Sequence, residues 1–426
     1  MPPLHLNSVI YCFRMSERVK RILFIAFFVL FAAVIGVSIY MVFFRPQAAP
    51  EGAIEEPGGA AGAFPSAGEA GEREPSEIAP PGTLPGAQGV AGTAGEAAGG
   101  AEAGRTSLLY EGISRNVSQS ADGTGARYYD PAESKFYRIS ADGVITELSG
   151  ETFPDVESVA WGNASDQAII MFPDGTKVHY DFETESQTTL PQHWEDFDFS
   201  ADDSSIVAKS NAIAPESRFL FISNPDGSGA RAIQAVGENG DKTFPSWTPN
   251  NQIIAYAAVG DAQGFDREQI ALIGKNQENF RGLLVEGRGF LPLWSPSGEQ
   301  VLYSVWNVAS DYRPELWISG GSPENMNRNR TKLDIMTWAD KCAWADEETV
   351  YCAVPNRLPR GAGLQRELFS DIGDTIVKID LRSGAKTPLG SPGANVSVRD
   401  PVVTEDGATL IFSDAVTGDL YAFRLQ

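Results

Sequence analysis

Cysteine and histidine are both scarce, with three of each in 426 residues. Three thiols cannot build a multi-disulfide scaffold or a four-ligand structural zinc site, and the histidines stand far apart in the chain. Positive charge is short as well. Lys and Arg number 33 against 56 Asp and Glu, a formal net charge of −23. A body this acidic repels phosphate backbones, which argues against nucleic acid as a partner. No G-x-S-x-G occurs, so His179 and His193 have no nucleophile elbow to serve and a serine hydrolase triad is disfavoured. Nothing in the sequence calls for a cofactor or a metal.

Charge is also missing from one long run. Ile22 to Phe44 reads ILFIAFFVLFAAVIGVSIYMVFF, about 35 Å as a helix and long enough to span a bilayer core of about 30 Å. Arg14, Arg18, Lys20 and Arg21 precede it with only Glu17 opposing, and Arg45 alone follows before acidic sequence begins. The positive-inside rule therefore expects residues 1–21 as a cytoplasmic tail, residues 22–44 as a transmembrane helix, and everything beyond outside the membrane, in the periplasm or at the cell surface. The run is too long for the apolar region of a cleaved signal peptide. Residues 45–105 are mostly Gly, Ala, Pro and Glu, a composition that cannot bury enough apolar surface to offset ordering, so a disordered linker is expected.

Residues 106–426 repeat. FPSWTPNNQIIAY from Phe244 and FLPLWSPSGEQVLYS from Phe290 show the unit best, and looser copies start at Val117, Val159, Phe197, Cys342 and Pro401. The positions before the turn are Gln119, Trp161, Phe199, Trp247, Trp294, Trp344 and Val403, spaced on average by about 47 residues, one four-stranded propeller blade. Alternating apolar residues predict strands, and Asp-Gly pairs at 122–123, 142–143, 174–175, 226–227 and 406–407 supply the positive φ of tight hairpins. The expected fold is all-β, a seven-bladed β-propeller of four-stranded antiparallel blades behind the membrane helix and linker. The last unit is one strand short. Thr106 to Gly112 belongs to no other unit and is expected to pair beside Leu420 to Leu425, closing the ring and removing its edges. The ring is expected to be a monomer.

The units PSWTPNNQIIAY and PLWSPSGEQVLYS resemble the WSPDG repeats of TolB-like β-propellers, which are related to WD-type repeats. The resemblance covers residues 106–426, and the arrangement of anchor, linker and ring is similar to that of membrane-anchored bacterial surface proteins. It implies the fold more than an activity, because propellers host unrelated functions.

Trp161, Trp247, Trp294 and Trp344 occupy equivalent places and are expected to fill the spaces between blades. Cys342 and Cys352 flank one hairpin turn at positions that a symmetric hairpin places opposite each other, so a disulfide is expected in an oxidising compartment. Loops after the second strand are long in three successive units, Val259 to Glu268, Asn307 to Pro314 and Val354 to Thr375. They carry Phe265, Asp266, Arg267, Tyr312, Arg313, Arg360, Arg366 and Phe369, the aromatic and Arg mixture favoured at binding hot spots. The expected function is a non-catalytic scaffold that binds a protein or an envelope polymer through that face. The alternative is a hydrolase or lyase acting on carbohydrate in the central channel, with Asp155, Asp196, Asp198 or Asp400 as acid and base.

Overall fold

The computed structural model describes residues 104–260, 263, 264 and 266–426. The expected tail 1–21, the apolar span 22–44 and all but the last two residues of the linker 45–105 lie outside the described residues, as does Phe265. Among the described residues no helix is long and apolar enough to cross a membrane.

Within the described residues, 28 strands form seven four-stranded antiparallel sheets. In six of them, blades 1 to 6 at residues 115–147, 158–190, 194–235, 243–285, 288–332 and 342–390, the strands follow chain order, from the innermost to the outermost. The seventh runs Thr106–Tyr110, Leu420–Arg424, Thr409–Asp414, Val398–Val403, so the first strand of the ring is the outer strand of the last blade. Thr106 pairs with Phe423 and Tyr110 with Leu420. Tyr110 Oη also donates to Asp130 Oδ2 of blade 1 at 2.6 Å. The ring thus closes on itself, as the strand count predicts.

The hairpins follow from their turn residues. Gly123, Gly143, Gly175, Gly227 and Gly407 all adopt positive φ, between 66° and 88°. The preceding Asp stabilises most of these turns with its carboxylate: Asp122, Asp174, Asp226 and Asp406 each accept the backbone N–H two residues on, at 2.8 to 3.1 Å.

The core lies between blades rather than in the middle of the ring. Seven clusters of buried side chains each draw on two neighbouring blades. Trp161 packs with Tyr129 and Phe136 of blade 1, and Trp247 with Val207 and Leu220 of blade 3. Three indoles also donate backward to the preceding blade: Trp161 Nε1 to the Asn116 carbonyl at 2.7 Å, Trp294 Nε1 to Ser246 Oγ at 3.0 Å and Trp344 Nε1 to the Leu293 carbonyl at 3.3 Å. Each of these rings fills an interblade gap with its apolar body and satisfies its one polar atom there.

Strand direction defines two faces. Short turns from first to second strands lie on one, the turn face; loops from second to third strands and the connections between blades lie on the other, the loop face. The chain enters the ring on the turn face, where the Arg105 carbonyl accepts the N–H of Arg424 at 2.8 Å.

Candidate binding face

The long loops of blades 5 and 6 are locked to one another. Gly361 N–H donates to the Asp311 carbonyl at 2.9 Å and Gly363 N–H to the Tyr312 carbonyl at 2.7 Å. Arg313 Nε donates to the Leu358 carbonyl at 2.9 Å. Asp311 and Tyr312 hold left-handed φ of 54° and 57°, which turns both carbonyls toward the blade 6 loop. The blade 4 loop joins through Asp266, whose Oδ2 accepts the Val308 N–H at 3.2 Å. Trp306 braces the junction, with its ring centroid 6.0 Å from that of Tyr312 and its side chain against Gly363. A Cβ at Gly363 would stand 2.7 Å from the Trp306 side chain, so the close approach requires glycine.

The loop residues singled out in the sequence therefore divide. Asp266, Tyr312 and Arg313 hold the loops together. Arg366 is tied to Asp340 and lies over the Trp338 ring at 5.0 Å. Arg267 pairs with Glu286 at 2.5 Å, at the edge of the group. Phe369 ends the short 3-10 helix Arg366–Phe369 and is half-buried. Arg360 projects most, 72% exposed with its Nε 3.8 Å from Asp311. Leu364 and Leu368 stand out beside it, 54% and 66% exposed. Loop length signalled this region; the bracing partners Asp311, Asp340 and Trp306, and the exposed Leu364 and Leu368, were missed because nothing local marks them.

Charge is unevenly spread around the ring. Residues 151–200 carry one Lys and no Arg against eleven Asp and Glu, whereas residues 351–400 carry seven Lys and Arg against five. The blade 6 loop itself, residues 354–375, carries three Arg against three Asp and Glu and is thus neutral within an acidic body.

Three of the four candidate acid-base carboxylates, Asp196, Asp198 and Asp400, also take part in the fold. Asp196 and Asp400 each lie three residues before the end of an inner strand, at a bulge shared with Asn116 in blade 1. All three adopt φ between 50° and 54°, a conformation that Asn and Asp tolerate better than most residues. Asp196 pairs with Lys209 at 2.7 Å and Asp400 lies 3.7 Å from Arg399. Burial raises the Asp400 carboxyl pKa, with Asp340 adding to the effect and Arg399 opposing it. Asp198 Oδ2 accepts the Trp247 N–H at 2.6 Å and its Oδ1 the Phe199 N–H at 2.9 Å; burial nevertheless pushes its carboxyl up to about 6. Asp155 is exposed, with φ of 58°. His179 meets Gln167 Oε1 at 2.7 Å in blade 2.

Cys342 and Cys352 face each other across the first two strands of blade 6, and their sulfurs are joined, with the Cα atoms 4.0 Å apart.

No family model and no curated protein matches the sequence. Solved structures do resemble the ring. An oligogalacturonate lyase in complex with manganese has a TM-score of 0.55 at 12% identity, covering 76% of this chain and 95% of that one. The oligogalacturonate lyase of Vibrio parahaemolyticus gives 0.52 at 11% identity over 75% and 93%. The β-propeller domain of Cps50 (Swd1) from Myceliophteria thermophila gives 0.50 at 11% identity over 75% and 100%. Identities this low establish the fold alone, a seven-bladed propeller with WD-like repeats. As to the manganese of the first, no three His, Cys, Asp or Glu side chains converge as a metal site requires among the described residues.

Proposed function

We propose that this chain is a TolB-like, membrane-tethered scaffold, anchored through residues 22–44, whose extracytoplasmic ring binds a protein or envelope polymer on its loop face. The observation that carries this reading is the mutual locking of the blade 5 and 6 loops. Main-chain hydrogen bonds fix their shape before any partner arrives, so little ordering cost remains at binding, while Arg360, Leu364 and Leu368 stay exposed. The chain enters on the opposite face, which leaves these side chains clear of the entry point. The exposed Arg360 on an otherwise acidic body favours an acidic partner. Crosslinking in native membranes tests the reading: the parent should capture a defined partner that a Leu364→Asp/Leu368→Asp variant loses. Retention of the same partners by a folded variant would refute it.

The enzyme alternative has one observation in its favour, Asp198, an inner-strand carboxyl with a pKa near the range useful for acid catalysis. The Trp247 N–H that it accepts assigns it equally well to joining blades 3 and 4. Turnover of an acidic oligosaccharide that disappears in Asp198→Asn would favour the enzyme.

A further inference from the structure

A cleft of about 710 Å³ opens between blades 5 and 6, toward the turn face and away from the long loops. Its origin is a defect in blade 5. The outer strand of that blade is only Thr331–Lys332, paired with Trp317 and Ile318, and an irregular excursion over residues 321–330 replaces the usual short turn. Side chains that an ordinary outer strand would supply are absent, and the gap between blades stays open.

The lining is chemically one-sided. Arg328, Lys332 and Lys386 border the cleft and Ile318, Leu333 and Leu381 contribute its apolar surface, yet no Asp or Glu lines it. In a protein of net charge −23 this absence is notable. Lys332 is paired with the buried Glu315, and Lys386 lies 4.0 Å from the exposed Asp334. Among the described residues no carboxylate lies within ion-pair distance of Arg328. Arg328 of blade 5 and Lys386 of blade 6, the latter held only at 4.0 Å by the exposed Asp334, thus both border the cleft as charged donors. The volume lies within the range of small-molecule sites, and cations contributed by two blades suit a ligand that carries negative charge at more than one point.

We infer that the cleft between blades 5 and 6 binds a multivalent oxyanion, a small polycarboxylate or polyphosphate, through Arg328 and Lys386. The site is separate from the loop face, and either can fail without the other.

Titration calorimetry on the full-length chain in neutral detergent, at constant ionic strength, tests this with citrate and tripolyphosphate as the probes and sucrose as the uncharged control. One probe at least should bind saturably at one site per chain, and the tighter of the two distinguishes a carboxylate from a phosphate site. Arg328→Ala/Lys386→Ala should weaken it by at least about tenfold, Arg328→Lys/Lys386→Arg should restore most of the loss, and Arg231→Ala, an exposed arginine of blade 3 outside both sites, should leave anion binding as in the parent. Both altered residues are exposed, and circular dichroism checks that the variants fold. Absence of saturable binding of either anion up to about 10 mM, or equal binding by the double Ala variant, would overturn the proposal.

Discussion

Asp198 Oδ2 accepts the backbone N–H of Trp247 at 2.6 Å, joining the inner strand of blade 3 to the anchor position of blade 4. Both inner strands are held at the anchor level by this one carboxylate, which desolvation keeps at a pKa of about 6 despite the two hydrogen bonds that favour its anion.

A pH dependence follows. The folded-state pKa is raised above the ordinary carboxyl value, so the contribution of Asp198 to stability is complete below about pH 4 and is lost as pH rises through about 6. The loss amounts to roughly 3 kcal/mol. Asn keeps an acceptor for Trp247 without the charge. Urea unfolding at a series of pH values should show Asp198→Asn gaining on the parent by that amount between pH 4 and 7, and parallel curves would mean that the carboxyl titrates normally.

The Cys342–Cys352 bond closes a short loop across one hairpin, and both sulfurs are buried within the core between blades 5 and 6. Chain-entropy reasoning for a loop this small gives about 2–3 kcal/mol. Protein secreted into an oxidising compartment should resist alkylation by iodoacetamide at both residues until reduced, and reductant should lower its unfolding midpoint accordingly. Ready alkylation of unfolded but unreduced protein would show two free thiols.

Topology is testable without a partner. If residues 22–44 cross the membrane with Arg14 to Arg21 inside, protease added to intact cells or spheroplasts should release a soluble ring fragment cut within residues 46–105. Protection of the ring, with loss of the N-terminal tail instead, would reverse the orientation.

Much of the ring was legible because propellers repeat their physics. Trp161, Trp247, Trp294 and Trp344 recur at blade spacing, and the Asp-Gly turns announce themselves by composition, so blade number and the closing role of Thr106–Tyr110 could be read from pattern. The register of Cys342 opposite Cys352 was legible by the symmetry of a hairpin. The loop face was legible only as length. That Arg313 would turn inward to Leu358 while Arg360 stayed outside depends on the left-handed backbone at Asp311 and Tyr312 and on contacts about 50 residues apart in the chain. The inner-strand Asp residues carry a second signal for a related reason: Asp196 and Asp400 read as acid-base candidates, and the bulge they occupy by itself also selects for Asn and Asp. The cleft between blades 5 and 6 left no signal, since it is made by an outer strand too short to fill its place.

The arginines of the loop face should separate by the work each does. Arg313 is mostly buried against Leu358, and its replacement by Ala leaves that carbonyl without its donor, costing about 1 kcal/mol of stability. Arg366 should behave likewise to a lesser degree, because its contacts with Asp340 and Trp338 are partly exposed. Arg360 is nearly free of the fold, so Arg360→Ala should change stability by less than about 0.5 kcal/mol. If the face captures an acidic partner, Arg360→Ala alone should weaken capture, and raising salt from low to physiological levels should weaken the parent more than the variant, because screening acts on a charge the variant lacks. Comparing the two proteins at matched salt therefore isolates recognition from folding, which a triple variant of Arg313, Arg360 and Arg366 cannot do. Equal capture with equal salt response would show that Arg360 is solvated surface, and the charge-based part of the binding proposal would fall while the apolar part, resting on Leu364 and Leu368, would still face its own test.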